Sequence, residues 1–272
     1  MKKIISLILA LTLVLTIAAG CSQTVPAPAV ESEQTILKIG ATPIPHAEIL
    51  NFVKPILEKE NIKLEIIEFQ DYVQPNTALA DKELDANFFQ HKPYMDNFIK
   101  ERTLDLVSVC NVHVEPLGLY SQSIKDLSEL KEGSTVAIPN DATNAARALL
   151  LLQSEGLIKL KDGIGIEATE KDIAENPQNI KIQPAEAAQL PRVLEDVDAA
   201  VINTNYALPA GLNPTKDALI IEGKDSPYAN IVAVRKGDEN RAEIKKLIEV
   251  LNSDEMKKFL EDKYNGAIVP AF

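Results

Sequence analysis

The chain has 272 residues, of which 46% are hydrophobic and 25% are charged, a composition typical of a folded globular protein. Its 28 lysines and arginines stand against 40 aspartates and glutamates, and the formal charge of -12 argues against nucleic acid or an anionic membrane surface held by charge. Two cysteines exclude a disulfide-rich scaffold, and with three histidines they are a poor supply of metal ligands. We therefore expect one large or two ordinary domains with no cofactor and no metal.

The amino-terminal segment has the pattern of a secretory signal peptide. A basic pair at residues 2–3 precedes an uncharged apolar run from Ile4 to Ala19, and small residues lead up to Cys21. This resembles a bacterial lipobox, in which the cysteine receives a diacylglycerol before cleavage. The alternative is an uncleaved transmembrane helix, but the run is shorter than the ~20 residues that span a bilayer. We expect a signal peptide over residues 1–20 and lipidation at Cys21.

A tether and a first α/β unit follow the signal peptide. Residues 21–35 are polar and proline-bearing, without helical or strand periodicity, which indicates a flexible tether. We therefore expect a lipid-anchored globule on the extracytoplasmic face of the cell membrane. The periodicity beyond the tether reads βαβαβ, the pattern of a mostly parallel sheet covered by helices. The predicted elements are strand 36–41, helix 47–59, strand 63–69, helix 76–82 and strand 84–89.

A second α/β unit repeats this alternation, and two such units suit two lobes better than one wide sheet. We expect the tail of the chain to return to the first lobe. Lobe 1 then comprises residues 36–118 and 228–272, lobe 2 comprises residues 119–227, and a ligand cleft lies between them. The later predicted elements are strand 134–138, helix 142–154, strand 180–183, helix 186–194, strand 199–203, an extended segment 217–221, strand 230–235, helices 243–251 and 254–262, and an extended end 266–270.

Polar residues on one predicted helix offer a seat for a carboxylate. Asn144 and Arg147 lie three residues apart on the helix over 142–154, so they share a face near its positive amino end. The planar fork of an arginine fits a carboxylate at two points. The alternative is a surface arginine paired with a nearby acid.

The aromatic residues and several asparagines suggest the rest of a pocket. Thirteen Phe and Tyr residues occur in the chain, and a concentration of them suits an apolar or thioether group, although a core cluster is the alternative. Asparagine amides accept from an ammonium and donate to a carboxylate, although loop asparagines are also common turn formers. The aromatic candidates are Tyr72, Phe88, Phe89, His91, Tyr94 and Phe98, and the polar candidates are Asn203, Asn205, Tyr228 and Asn230.

The remaining reactive side chains favour structural roles. His46 follows a strand and a proline, as a residue at a helix start does, and His113 lies in an apolar alternation typical of a buried histidine. Cys110 lies in a strand-like run and is expected to be a buried, inert thiol. Cys110 and His113 are the one tempting nucleophile–base pair, but residues three apart on a strand face opposite sides. We therefore expect no enzyme, with a surface hydrolase as a remote alternative.

Many linked motifs in order resemble the NlpA family of methionine-binding lipoproteins, which feed a methionine ABC importer. The resemblance covers the chain from about Ile36 to its end. The motifs are Gly40-Ala41-Thr42-Pro43, Pro45-His46-Ala47-Glu48, Asp71-Tyr72-Val73-Gln74-Pro75-Asn76, Phe89-Gln90-His91, Pro93-Tyr94, Glu115-Pro116-Leu117-Gly118, Ile138-Pro139-Asn140-Asp141, Asn203, Asn205-Tyr206-Ala207, Ser226-Pro227-Tyr228 and Asn230.

The resemblance implies a two-lobed periplasmic-binding-protein-like fold that closes on one ligand. It implies an L-methionine-binding protein that delivers its ligand to an ABC permease, monomeric and held at the membrane by a lipid. Some relatives take a methionine-containing dipeptide, so that ligand, or another small amino acid, is the alternative. By resemblance, the aromatic wall matches Tyr72, Phe89, His91 and Tyr94, and the carboxylate and ammonium anchors match Asn144, Arg147, Asn205 and Asn230.

Overall fold

The computed structural model describes residues 34–223 and 226–272. The predicted signal peptide, the lipidation at Cys21 and all but the last two residues of the tether over 21–35 lie outside the described residues. Within the described part of the chain, no helix is both long enough and apolar enough to cross a membrane.

Two separate sheets organise the described chain, as the expectation of a two-lobed α/β fold requires. The first sheet has six strands in the order β13-β4-β12-β3-β1-β2. β1 pairs in parallel with β2 and β3, whereas β12 runs antiparallel to β3 and β4, and β13 runs antiparallel to β4. The strands of this sheet are β1 (Thr35–Ala41), β2 (Ile62–Glu68), β3 (Ala86–His91), β4 (Leu106–Val114), β12 (Ala229–Arg235) and β13 (Val269–Pro270).

The second sheet has five strands in the order β11-β5-β10-β6-β9, and a two-stranded ribbon pairs β7 with β8. β6 lies between β10 and β9 and is parallel to both, while β5 runs antiparallel to β10 and β11. These strands are β5 (Gly118–Tyr120), β6 (Thr135–Pro139), β7 (Lys159–Leu160), β8 (Ile173–Glu175), β9 (Lys181–Ala185), β10 (Ala199–Ile202) and β11 (Ile220–Ile221).

Both sheets are mixed, which corrects the expectation of mostly parallel sheets. The expectation of parallel pairing holds within the predicted βαβ segments, in which a helix connects one strand to the next and lets both run in the same direction. The strands beside the two places where the chain passes between the sheets are antiparallel. β4 leads into β5 and β11 leads into β12, and in the described chain neither of these two connections contains a helix.

Eight helices of the described chain cover the sheets. α1 buries Ile49, Leu50, Val53 and Leu57 on one face, at the spacing that predicts a helix there. α3 is absent from the sequence prediction because it is mostly polar and its buried face is only Tyr94, Met95 and Phe98. The helices are α1 (Glu48–Glu58), α2 (Gln74–Ala80), α3 (Lys92–Arg102), α4 (Ala142–Ser154), α5 (Leu190–Val193), α6 (Thr204–Ala207), α7 (Ala242–Leu251) and α8 (Asp254–Tyr264).

Each sheet has its own hydrophobic core. Around the first sheet, Leu37 and Ile39 of β1 pack with α1, α7 and α8 in one cluster. Around the second sheet, Val136 and Ile138 of β6 pack with Leu149 of α4 in another. Because the burial of each large aliphatic side chain contributes about 1.5–3 kcal/mol, two cores of this kind stabilise each lobe separately.

All three histidines are buried, and their burial lowers each pKa. The imidazole pKa falls from 6.5 to about 4 in His46 and to about 3 in His91 and His113. In the first sheet, Nε2 of His113 donates to Oε1 of Glu115 at 2.8 Å, and Nε2 of His46 lies 3.2 Å from the same oxygen. Thr42 Oγ1 donates to Nδ1 of His46 at 2.7 Å, which fits a neutral His46 imidazole protonated at Nε2, whereas Nδ1 of His113 has no hydrogen-bond partner among the described residues.

Because the pKa of each histidine is lowered in the folded chain, we expect acid to reduce the free energy of unfolding already at pH values above those at which most carboxylates titrate. As pH falls below 6.5 the unfolded chain binds protons that the folded chain does not bind until about pH 4 or 3, so stability is lost in this window. At pH 5 the loss is about 2 kcal/mol for each histidine. The raised pKa of Glu115 opposes it. Urea denaturation followed by circular dichroism at pH 7 and pH 5 measures the change.

The matched variant for this measurement is His113→Gln, whose amide keeps a donor for Glu115 but does not titrate. We expect the dependence on pH between 6.5 and 5 to be less steep by about one third. A wild-type stability that is the same at pH 7 and pH 5 would contradict the neutral, buried state of these imidazoles.

Candidate functional site

A small pocket with a cavity volume of about 20 Å³ lies between the two sheets and, in this closed arrangement, has room for about one water molecule. The first sheet contributes the carboxyl end of β3 and the adjoining amino end of β12, where His91 pairs with Asn230. The second sheet contributes the start of α4 and the segment after β10. The lining residues are Tyr72, Phe89, Gln90, His91, Tyr94, Glu115, Asn144, Arg147, Asn203, Thr204, Asn205 and Asn230.

All eight residues matched by the family resemblance are therefore brought together in one pocket. The other four lining residues are Gln90, Glu115, Asn203 and Thr204. Gln90 stands in the motif Phe89-Gln90-His91, whereas the only sequence signal for Thr204 is that it lies between Asn203 and Asn205. Glu115 lies where the chain passes from β4 to β5, a position that no periodicity marks.

The aromatic side of the pocket is a packed wall. The ring centroid of Tyr72 lies 6.0 Å from that of Phe89 and 5.7 Å from that of Tyr94, and Phe98 packs behind Tyr94 at 5.9 Å. Burial raises the pKa of the Tyr72 and Tyr94 hydroxyls, so both rings stay uncharged. Phe88 has the opposite orientation and packs in the core of the first sheet. The wall presents polarisable, neutral surface suited to an apolar or thioether group.

Arg147 is the buried cation of the site, with only 3% of its surface exposed. Its Nε donates to Oε1 of Glu222 at 3.0 Å, and its Nη2 donates to Oε2 of Glu222 and, at 2.7 Å, to the backbone oxygen of Glu115. The guanidinium also lies 4.4 Å from the ring centroid of Tyr228. One forked edge of the guanidinium is thus occupied by Glu222, a residue that no sequence motif singles out.

Arg147 therefore joins both segments through which the chain passes between the sheets. Glu115 lies on the segment from β4 to β5, and Glu222 lies on the segment from β11 to β12. No hydrogen bond found among residues 34–223 and 226–272 uses Nη1 of Arg147, which leaves that nitrogen for a carboxylate in the pocket.

Hydrogen bonds between the lobes hold the pocket in a closed arrangement. The hydroxyl of Tyr72 donates to Oδ1 of Asn205 at 2.5 Å, and the hydroxyl of Tyr206 donates to the backbone oxygen of Gln70 at 3.3 Å. Nε2 of His91 lies 3.1 Å from Oδ1 of Asn144. Each of these pairs joins a residue near the first sheet to one near the second.

Buried polar atoms without a partner remain in and beside the pocket. Among the described residues, Oδ1 of Asn203, Nδ2 of Asn205 and the hydroxyl of Tyr228 are enclosed and make no hydrogen bond. Leaving such a group unsatisfied costs about 1–3 kcal/mol. A small ligand with both donors and acceptors would remove this cost, and nothing in the pocket's chemistry calls for a covalent step.

One group in the described chain has donor atoms suited to a metal. Ligand atoms of His46, His113 and Glu115 lie within 4.8 Å of one another, although the two histidines are far apart in sequence. In the hydrogen-bonded arrangement, Nε2 of His113 donates to Oε1 of Glu115 and Nε2 of His46 donates to Oδ1 of Asn230, so a metal would have to displace both protons. Desolvation by burial raises the pKa of Glu115, and the nearby His46 and Arg147 partly oppose this shift.

Comparisons with known proteins agree with this fold. The D-methionine-binding lipoprotein MetQ of Salmonella typhimurium is 45% identical over 254 residues, 92% of each chain. A nutrient binding protein from Burkholderia cenocepacia, solved bound to methionine, is 49% identical with a TM-score of 0.84, covering 87% of this chain and 100% of that one. A periplasmic substrate-binding protein of an ABC transporter from Coxiella burnetii is 45% identical with a TM-score of 0.83, covering 86% and 100%.

The sequence profile of the NlpA lipoproteins matches residues 37–272, which is nearly all of the described chain. The match includes both sheets and every residue that lines the pocket. The chain belongs to the NlpA lipoprotein family.

Proposed function

We propose that this chain is the substrate-binding protein of an ABC importer and that it binds L-methionine between its two lobes. The observation that supports this best is the pocket itself, in which a neutral aromatic wall and a buried arginine line the same space between the lobes. The wall accommodates the thioether, and Arg147 binds the carboxylate through Nη1. Relatives that are named as methionine-binding, and one solved with methionine bound, support the same ligand.

The proposed mechanism is hinged closure without chemistry on the ligand. The lobes open by bending the two segments that contain Glu115 and Glu222, and the ligand draws them together by contacting residues from both. Cys110 does not line the pocket, and burial raises the pKa of its thiol to about 12, which leaves it a poor nucleophile. The protein then acts as a monomer that delivers its closed, loaded form to a permease.

A ligand panel tests the proposed substrate class. L-Methionine at about 100 times its Kd should add about 2.7 kcal/mol of stability, or about 5–10 °C in Tm. The panel includes D-methionine, other amino acids and methionine-containing dipeptides. The chain has no tryptophan, so thermal shift with an extrinsic dye and native mass spectrometry replace indole fluorescence. A shift with a dipeptide and none with methionine would contradict the proposed ligand.

The role of Arg147 is tested by Arg147→Ala. Loss of a desolvated charge pair should weaken L-methionine binding by about 2–5 kcal/mol in isothermal titration calorimetry. Arg147→Lys keeps the charge but not the planar fork, and we expect an intermediate loss. Arg192→Ala removes an exposed arginine of the same lobe and should leave the affinity unchanged. Equal affinities for Arg147→Ala and wild type would reject the carboxylate assignment.

The anchor is proposed to be a lipid on Cys21, with the globule on the extracytoplasmic face. In a bacterial host that processes lipoproteins, the full-length protein should sediment with membranes, because a diacylated amino terminus partitions into the bilayer. Cys21→Ala should move it to the soluble fraction. Cys110→Ala is the matched control and should stay with the membranes. A Cys21→Ala variant that remains lipid-labelled and membrane-bound would contradict this anchor.

A further inference from the structure

The pocket contains one buried acceptor that the ligand assignment has not used. Asn203 is 6% exposed and lines the pocket, and its Oδ1 has no hydrogen-bond partner in the part of the chain that the structure describes. A neighbouring amide, that of Asn205, leaves Nδ2 without a partner instead. The two asparagines thus present opposite polarities to the pocket, an acceptor and a donor, which suits a zwitterion.

The orientation of the Asn203 amide is set through Asn144. Nδ2 of Asn203 donates to Oδ1 of Asn144 at 2.8 Å, and this bond turns Oδ1 of Asn203 towards the pocket. Nδ2 of Asn144 in turn lies 3.0 Å from each carboxylate oxygen of Asp141. An ionised carboxylate only accepts hydrogen bonds, so Asp141 requires the nitrogen of Asn144 on its side and its oxygen on the other. Asp141 itself does not line the pocket.

His91 requires the same orientation of Asn144 for an independent reason. Its Nδ1 accepts from the backbone N–H of Tyr94 at 3.1 Å, and a backbone amide nitrogen can only donate. A neutral imidazole with an unprotonated Nδ1 has its proton on Nε2, which lies 3.1 Å from Oδ1 of Asn144. The Asp141 carboxylate and the Tyr94 backbone N–H therefore impose the same orientation on the network, in which Asn203 presents Oδ1 to the pocket.

We propose that Oδ1 of Asn203 accepts a hydrogen bond from the ligand's α-ammonium, and that Asp141 is the positioning residue that sets this polarity through Asn144. The proposal rests on the proposed function, because it takes the ligand to be an amino acid in this pocket. Asn144 then acts through the network, since its amide oxygen already accepts from Asn203 and His91. The carboxylate of Asp141, at the far end of this chain of hydrogen bonds, thus favours a ligand with an α-ammonium over the analogue that lacks it.

One substitution can keep the helix-capping role of Asp141 while removing its acceptor-only character. Asp141 caps α4 by accepting from the backbone N–H of Asn144 at 2.9 Å, and asparagine is as good a capping residue as aspartate. In Asp141→Asn the side chain offers a donor as well as an acceptor. Asn144 is then held in its orientation by His91 alone, so the amide of Asn203 loses one of the two constraints that fix its orientation.

The experiment compares L-methionine with 4-(methylthio)butanoate, which lacks the amine, by calorimetry. For Asn203→Ala we expect L-methionine binding to weaken about 10- to 100-fold, and for Asp141→Asn we expect a smaller loss in the same direction, because His91 still orients Asn144. In both variants, binding of the desamino analogue should change by less than about 2-fold. Asp126→Asn is the matched control. Asp126 also caps a short helical turn, over Leu127–Glu129, and is remote from this pocket, so both affinities should be unchanged.

The outcomes separate this role from the proposed function. If the wild type binds both probes and the two variants lose them equally, or lose neither, the role of Asn203 and Asp141 is overturned while methionine binding stands. If the wild type binds neither probe, the proposed function is overturned, and this role with it. Circular dichroism melts of each variant show that a lost affinity is not lost folding.

Discussion

The burial of one guanidinium constrains the whole site. Arg147 cannot lie among the two lobes without an acid and several acceptors, because an unpaired buried cation costs several kcal/mol. Glu222 and the backbone of Glu115 supply them, and these residues belong to the two segments that connect the lobes. The contacts that neutralise and solvate the Arg147 guanidinium therefore also hold the two connecting segments beside the ligand cleft. Charge neutralisation and the geometry of the lobes thus depend on each other.

Around that cation the pocket divides by polarity. One side is a wall of neutral rings from the first lobe, and the other is a set of amides from the second, with His91 and Asn144 meeting across the gap. The amides are ordered by groups that can only donate or only accept, which gives the pocket a definite pattern of donors and acceptors before a ligand arrives. Such preorganisation lowers the ordering cost of binding.

The electrostatics of the interior follow from burial more than from the surface charge of the chain. All three histidines are neutral because desolvation lowers the pKa of each imidazole, and Glu115 has a raised pKa for the same reason. The site itself is nearly balanced, with the charge of Arg147 matched by that of Glu222.

The sequence by itself determined the α/β alternation and the helix over 142–154, because periodicity records these directly, and its linked motifs singled out eight residues that the fold brings to one pocket. Only the tertiary structure decided the antiparallel strands at the lobe connections, the polar helix α3, the pairing of Arg147 with Glu222 and the approach of His46 to His113. These contacts join residues distant in the chain, and local spacing contains no information about which partners burial will force together.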